Sequence, residues 1–153
     1  MMAIPLLILA AIGLFLFAMV EAGANSLATR LASAIEVAEG YGVPGAIPTV
    51  NNNPGDLMNW QGSGLPSDPN GFAVFPSYAA GFQALVQKVQ NILSSADPEI
   101  SALAQEYFGV GDTSQLTIEQ LAQIYSPQGA DNWANNVAAE LGVSPSTTIG
   151  SAA

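Results

Sequence analysis

Residues 27–57 decide the fold of this chain. They begin Leu27-Ala-Thr-Arg-Leu-Ala-Ser-Ala-Ile-Glu-Val-Ala-Glu39, continue through Gly40-Tyr41, and end with Asn51-Asn-Asn-Pro-Gly-Asp-Leu57. Apolar residues recur at 27, 31, 35 and 38, which is the spacing of one helix face, and Asn25 or Ser26 can cap that helix. Residues 41–71 are rich in Gly, Pro, Asn and Asp and have no period. The stretch therefore predicts a helix that ends at Gly40 and leads into a long ordered loop or small β region, a kind of segment that often carries function.

The rest of the chain predicts further helices and one short strand. Phe72-Ala-Val-Phe75 is typical of a strand, and Pro76 ends it. Helical spacing and first-turn signals then predict four helices, at 78–93, 98–107, 118–125 and about 131–141. There is no internal repeat and no linker. We therefore expect a mainly α domain over residues 25–146, with a short β region, followed by a flexible tail over 147–153.

The N-terminus carries a membrane signal. Residues 3–20 form an uninterrupted apolar run, long enough to cross a hydrocarbon layer of roughly 30 Å as a helix. A secretory signal peptide cut after Ala22-Gly23-Ala24 is one interpretation, and a buried core helix is another. The run lacks a basic segment before it and exceeds the usual signal core, which favours a retained transmembrane anchor over 1–24. Its orientation is not predicted, because Arg30 is the only cation nearby.

The composition excludes several kinds of chemistry. The chain has no Cys and no His, so it cannot form a thiolate or imidazole zinc site, a Cys-His pair or a Ser-His-Asp triad. No spacing of carboxylates resembles a cation loop, and we predict neither a metal nor a cofactor. With a net charge of -10 and only Arg30 and Lys88 as strong cations, nucleic acid is not an expected partner. The acidity is best interpreted as a solvated surface.

Glu39 is the carboxylate that the helical pattern singles out. At about 100° per residue from Leu27, Glu36 points about 180° away from the buried face, whereas Glu39 lies at about 120°, on its shoulder. Glu39 also ends the helix, where unpaired carbonyls disfavour a negative charge. Both features predict a raised pKa, as a glycosidase needs in the acid that protonates a leaving oxygen. A solvated surface Glu is the alternative.

The motifs and their order resemble the lysozyme-like, lytic transglycosylase-type domain of bacteriophage and bacterial proteins. The match runs from Glu39-Gly40-Tyr41 through Asn51-Asn-Asn-Pro-Gly-Asp-Leu57 and Gly71-Phe-Ala-Val-Phe-Pro76. It continues through Leu116-Thr-Ile-Glu-Gln-Leu121 and Tyr125-Ser-Pro127, and it covers about residues 26–146. The resemblance implies a lysozyme-like α+β fold and cleavage of the MurNAc-GlcNAc β-1,4 bond of peptidoglycan.

The resemblance also implies roles for individual residues. Glu39 matches the family's catalytic acid, acting as the single general acid and base. For any one Asn of the loop, a role in forming the turn remains as open as contact with a sugar. If Asp56 positions a water molecule, the reaction is hydrolysis. If no second carboxylate takes part, the reaction is a transglycosylation that forms a 1,6-anhydro sugar. The expected substrate-binding residues are Tyr41, Asn51, Asn52, Asn53, Asp56, Phe75, Tyr125 and Asn132.

Two other functions stay open at this stage. One is a non-catalytic, membrane-anchored virion or envelope protein that binds glycan strands, which the acidic charge favours because wall-lytic domains are typically basic. The other is a membrane-embedded structural subunit, which leaves the Glu39 and Asn51–Leu57 motifs unexplained. The favoured expectation is an enzyme anchored through residues 3–20, with its domain facing the periplasm or cell wall, or carried in a virion membrane.

Overall fold

The computed structural model describes residues 27–58 and 64–152. Helices account for 60% of the structure and strands are scarce, so the prediction of a mainly α chain is confirmed. No helix within the described ranges is long and apolar enough to cross a membrane. The predicted span at residues 3–20 lies outside those ranges.

Within residues 27–58 and 64–152, six α-helices follow one another, and the predicted ones are confirmed to within a residue or two. The first, α1, occupies residues 27–38. A four-residue helix, α2, lies inside the loop for which no helix was predicted, and that part of the prediction was wrong. Pro48 in its first turn presets the backbone for this single turn. The remaining bounds are α2 Ile47–Val50, α3 Tyr78–Leu93, α4 Pro98–Phe108, α5 Ile118–Tyr125 and α6 Ala130–Leu141.

Local capping explains where the longer helices begin. The side chain of Ser77 accepts a hydrogen bond from the backbone N–H of Ala80 at the start of α3, and Asp97 accepts one from Ile100 at the start of α4. Thr117 forms a reciprocal capping box with Gln120 at the start of α5. Each cap satisfies a backbone donor that a helix terminus leaves unpaired.

The core of the described residues is a single cluster of aliphatic side chains with Phe75 and Trp133, contributed by five helices and the loops between them. The helix α1 buries Leu31 and Ile35 completely, as its apolar spacing predicts. Helices α5 and α6 pack against each other. The fully buried large side chains of the other elements are Leu85, Val89, Ile92, Leu116, Ile118, Leu121, Val137 and Ile149.

Residues 72–75 do not form the predicted strand. They make only isolated antiparallel bridges, Met58 with Phe72 and Ser67 with Ala73. The other partners of this segment belong to turns and side chains: the N–H of Phe75 bonds to the carbonyl of Asn51 at 2.9 Å, and the carbonyl of Ala73 accepts from the Asn53 amide. The segment therefore supports the loop through these hydrogen bonds. The strand-like composition of residues 72–75 did not indicate such a role.

The prediction of a flexible tail was wrong for residues 147–152. A short 3-10 turn, Ile149–Ser151, closes the chain, and Ile149 and Ala152 are fully buried. The N–H of Ile149 bonds to the carbonyl of Leu116 at 2.9 Å, and Thr148 bridges Thr117. One isoleucine in a segment of small polar residues was enough to anchor it, and the domain extends through 152.

Two glycines let α3 approach residues 51–57, which we call the polar loop. A Cβ on Gly81 of α3 would lie 1.9 Å from the carbonyl oxygen of Asn52, and one on Gly55 would lie 2.6 Å from a methyl carbon of Leu85. Gly81 has no room for a side chain because loop and helix are in backbone contact there, and a Cβ on Gly55 would force the Leu85 side chain to move. This contact fixes the polar loop at one wall of the cleft described next.

Candidate active site

Glu39 is the first residue after α1, at the end of that helix. Its backbone N–H still bonds to the carbonyl of Ile35 at 2.9 Å. Gly40 then adopts a left-handed φ of 76°, a conformation that glycine favours and that commonly ends a helix. The chain turns away at this point and leaves the Glu39 side chain, partly buried, facing the cleft.

Trp133 holds the Glu39 carboxyl. It lies on α6, is only 3% exposed, and donates its indole N–H to Oε1 of Glu39 at 2.8 Å. The ring of Tyr125 packs against the indole with centroids 5.4 Å apart. Sequence reasoning missed Trp133 and chose its exposed neighbour Asn132. A buried indole needs an acceptor for its N–H, and that rule was the available signal.

Burial raises the pKa of Glu39 to about 7, from 4.5. The hydrogen bond from Trp133 lowers this pKa, and the negative charge of Asp56 raises it. Burial has the largest effect because it removes water from the ionised form. The predicted direction is confirmed, although burial rather than the helix end is the main cause. The carboxyl can thus hold and release a proton near neutral pH.

Glu36 differs from Glu39 in its surroundings. Burial raises its pKa as well, opposed by a hydrogen bond from Tyr78, whose hydroxyl donates to Oε2 at 3.2 Å. It does not line the cleft that Glu39 lines. The helical spacing therefore distinguished the locations of Glu36 and Glu39 correctly.

The cleft has a volume of about 470 Å³, which is enough for a small part of a polymer such as one or two sugar rings. Three of the predicted site residues, Glu39, Asp56 and Tyr125, are in its wall. The other described residues that line it are Leu57, Met58, Phe72, Lys88, Glu99, Ile100, Ile124, Ser126, Pro127 and Gln128. The cleft therefore runs between the polar loop, α3 and the junctions that start α4 and end α5.

The asparagines of the polar loop are used within the protein. Asn53 is fully buried; it accepts from the N–H of Leu57 and donates to two backbone carbonyls. Asn51, 5% exposed, donates to Asp68 at 3.0 Å. Asn52 donates to the carbonyl of Phe75 at 3.2 Å. The prediction that Asn53 binds substrate was therefore wrong. Its bonds with Leu57 form the turn, whereas Asn51 and Asn52 tie the loop to residues 68 and 75.

The other predicted binding residues lie outside the cleft wall. Phe75 is 4% exposed and belongs to the core. The ring of Tyr41 packs on that of Tyr78, with centroids 5.0 Å apart. Asn132 is exposed on α6. Tyr125 has a second role besides lining the cleft, because its hydroxyl donates to the carbonyl of Gly55 at 2.8 Å and so ties α5 to the polar loop.

Lys88 is the only cation in the cleft wall, and it is already paired. Its ammonium nitrogen lies 2.7 Å from Asp97 and 4.0 Å from Glu99. Asp97 is buried and also caps α4, so the pair neutralises a charge that burial would otherwise make costly. The wall therefore has no free positive charge among the described residues that line it.

No group of three or more acidic side chains within residues 27–58 and 64–152 is arranged to hold a metal ion. Comparison of the chain with protein-family models, with curated proteins and with solved structures found no match.

Proposed function

We propose that this protein is a peptidoglycan-cleaving glycosidase with a lysozyme-like fold, in which Glu39 donates the proton that releases the sugar leaving group. The observation that carries the proposal is a carboxyl with a pKa of about 7, held by Trp133 in the wall of an open cleft. Near neutral pH this acid keeps its proton until a glycosidic oxygen needs it.

The chemistry follows from the surroundings of Glu39. As the C1–O4 bond of the MurNAc-GlcNAc linkage breaks, the Glu39 proton passes to O4 and leaves the carboxylate. The hydrogen bond from the Trp133 indole N–H to Oε1 of Glu39 becomes stronger as the carboxylate charge develops. A donor bonds more strongly to an anion than to a neutral acid. Trp133 therefore stabilises the product state of the proton transfer.

Location is a further part of the proposal. The apolar run at residues 3–20 would anchor the chain in a membrane, with the domain facing the periplasm or cell wall, or in a virion membrane. A tethered enzyme needs no basic surface to find the glycan, which accommodates the net charge of -10. The same charge also favours the second candidate, a non-catalytic glycan-binding protein of virion or envelope.

Substitution of Glu39 by Gln tests the function. Glutamine preserves the acceptor for Trp133 but cannot donate an acid proton, so release of fragments from purified peptidoglycan should fall by a factor of about 10² to 10⁴. Glu36→Gln is the matched control, because Glu36 lies one turn earlier on α1 and outside the cleft. Equal activity of the Glu39→Gln variant contradicts the proposal. Glycan binding without turnover by the unaltered protein supports the non-catalytic candidate.

A further inference from the structure

Asp56 is the one acidic residue of the polar loop, and its Oδ1 takes no part in the hydrogen bonds that close the loop among the described residues. The loop is closed by Asn53, whose amide oxygen accepts from Leu57 at 2.9 Å and whose amide nitrogen donates to two carbonyls. Asn51 and Asp68 tie the loop to the segment that follows it. Among the described residues, the hydrogen bonds that hold the loop therefore do not depend on Oδ1 of Asp56.

The backbone conformation of Asp56 does not require a carboxylate. Its φ is 46°, in the left-handed region, where Asn is among the best tolerated side chains other than Gly. Its Oδ1 is buried and has no hydrogen-bond partner among the described residues. A buried acceptor left unpaired destabilises the folded protein, and more so when it is charged. Asn at this position would keep the backbone geometry and avoid the buried charge.

The Asp56 carboxyl faces the cleft that Glu39 faces, and few donors stabilise its anion. Burial raises its pKa to about 6, and the negative charge of Asp68 adds to the effect. The other charged groups in the cleft wall are Glu39, Glu99 and Lys88, of which Lys88 is paired with Asp97. An anion that has lost water without gaining donors is a stronger base than an ordinary aspartate.

We infer, building on the glycosidase function proposed above, that Asp56 is a second catalytic carboxylate, which binds and deprotonates an attacking water so that cleavage of the glycan is hydrolysis. The C1–O4 bond breaks while the proton of Glu39 passes to O4. The oxygen of the water bonds to C1, and its proton passes to Asp56. Solvent then returns a proton to Glu39 and accepts the one on Asp56, so both groups are restored.

The ionisation order of the two carboxyls suits these roles. With pKa values of about 6 for Asp56 and about 7 for Glu39, the pair between these limits holds its proton mainly on Glu39. Hydrolysis should then show a bell-shaped dependence on pH, with its acid limb set by Asp56 and its basic limb by Glu39.

The Asp56→Asn variant tests the role through its products. Purified peptidoglycan is digested, and the released muropeptides are measured by mass spectrometry, in which reducing and 1,6-anhydro ends differ by one water. We expect reducing ends from the unaltered protein, and a loss of that product by about 10²–10⁴-fold in the variant. Any residual cleavage by the Asp56→Asn variant should yield anhydro ends. Glu106→Gln is the control, because Glu106 is exposed on α4, and it should leave the products unchanged.

Stability is the second measurement. Because Asn removes the unpaired buried charge, the Asp56→Asn variant should unfold at a urea concentration at or above that of the unaltered protein at pH 8. Reducing ends released at an unaltered rate by the variant overturn the role of Asp56, as do anhydro ends alone from the unaltered protein or a strongly destabilised variant. If the unaltered protein and its Glu39→Gln variant both release nothing, the glycosidase function itself fails.

Discussion

Substitution of Glu39 by Gln should stabilise the protein above neutral pH, in addition to any effect on activity. The folded-state pKa of Glu39 is about 7, against an ordinary value of 4.5. Below pH 4.5 both the folded and the unfolded chain hold this proton. Between pH 4.5 and 7 only the folded chain keeps it, so the stability of the unaltered protein falls through that window and the penalty is complete above pH 7.

The size of the effect follows from the shift. At about 1.4 kcal/mol per pKa unit, the penalty above pH 7 is about 3 kcal/mol, and it includes the repulsion by Asp56, which the substitution also removes. Glutamine has no charge to bury and can still accept the Trp133 N–H. The free energy of unfolding of the variant, relative to the unaltered protein, should therefore rise by about 2–3 kcal/mol between pH 4 and pH 8.

Urea unfolding at pH 4 and pH 8, followed by tryptophan fluorescence, measures this difference. Titrations of other groups largely cancel, because both proteins contain them. Glu106→Gln is the control, since its side chain is exposed on α4, and its relative stability should not change by more than about 0.5 kcal/mol between the two pH values. If the Glu39→Gln difference is the same at both pH values, the carboxyl is ionised at no cost in the folded protein, and the reasoning about Glu39 is refuted.

Three further changes test the contacts around the site. Trp133→Phe removes the only hydrogen bond to the Glu39 carboxyl among the described residues. The pKa of Glu39 should therefore rise by about one unit, measured by carbon NMR of the carboxyl. Gly81→Ala places a Cβ 1.9 Å from a loop carbonyl oxygen and should lower the unfolding free energy by at least about 2 kcal/mol in urea titrations. Lys88→Met leaves Asp97 buried and unpaired, so it should cost about 3 kcal/mol by the same titration, much of it recovered by adding Asp97→Asn.

Each of these three has a discriminating result. An unchanged or lower pKa of Glu39 in the Trp133→Phe variant means that the indole does not stabilise the anion. Gly129→Ala is the control for Gly81→Ala, because a Cβ there meets nothing within 4 Å; equal losses would deny the close contact of α3 with the polar loop. If Asp97→Asn restores no stability to the Lys88→Met protein, the cost of that change lies in lost packing.

The sequence predicted the features that depend on neighbours along the chain. Helices α3 and α5 begin where Ser77 and Thr117 offer side-chain caps, and these are signals within three residues. The buried face of α1 and the distinct position of Glu39 follow from the helical period alone. The mainly helical class of the chain could be predicted for the same reason.

Features that depend on distant partners could not be predicted. The roles of the loop asparagines are set by Asp68, Ala73 and Phe75, which lie up to 23 residues away, so composition alone left their function open. The burial of Ile149 depends on its docking against Leu116. Trp133 was missed because its bond to Glu39 exists only once α6 packs beside the end of α1.

That last contact has a consequence for when the acid becomes active during synthesis. Trp133 and Glu39 are 94 residues apart, and contacts of such long sequence separation form late in folding. A nascent chain that has not yet released α6 from the ribosome would carry Glu39 as a hydrated carboxyl with no indole beside it. On the proposed function, glycan cleavage would begin only after α6 has been synthesised and has packed beside the end of α1.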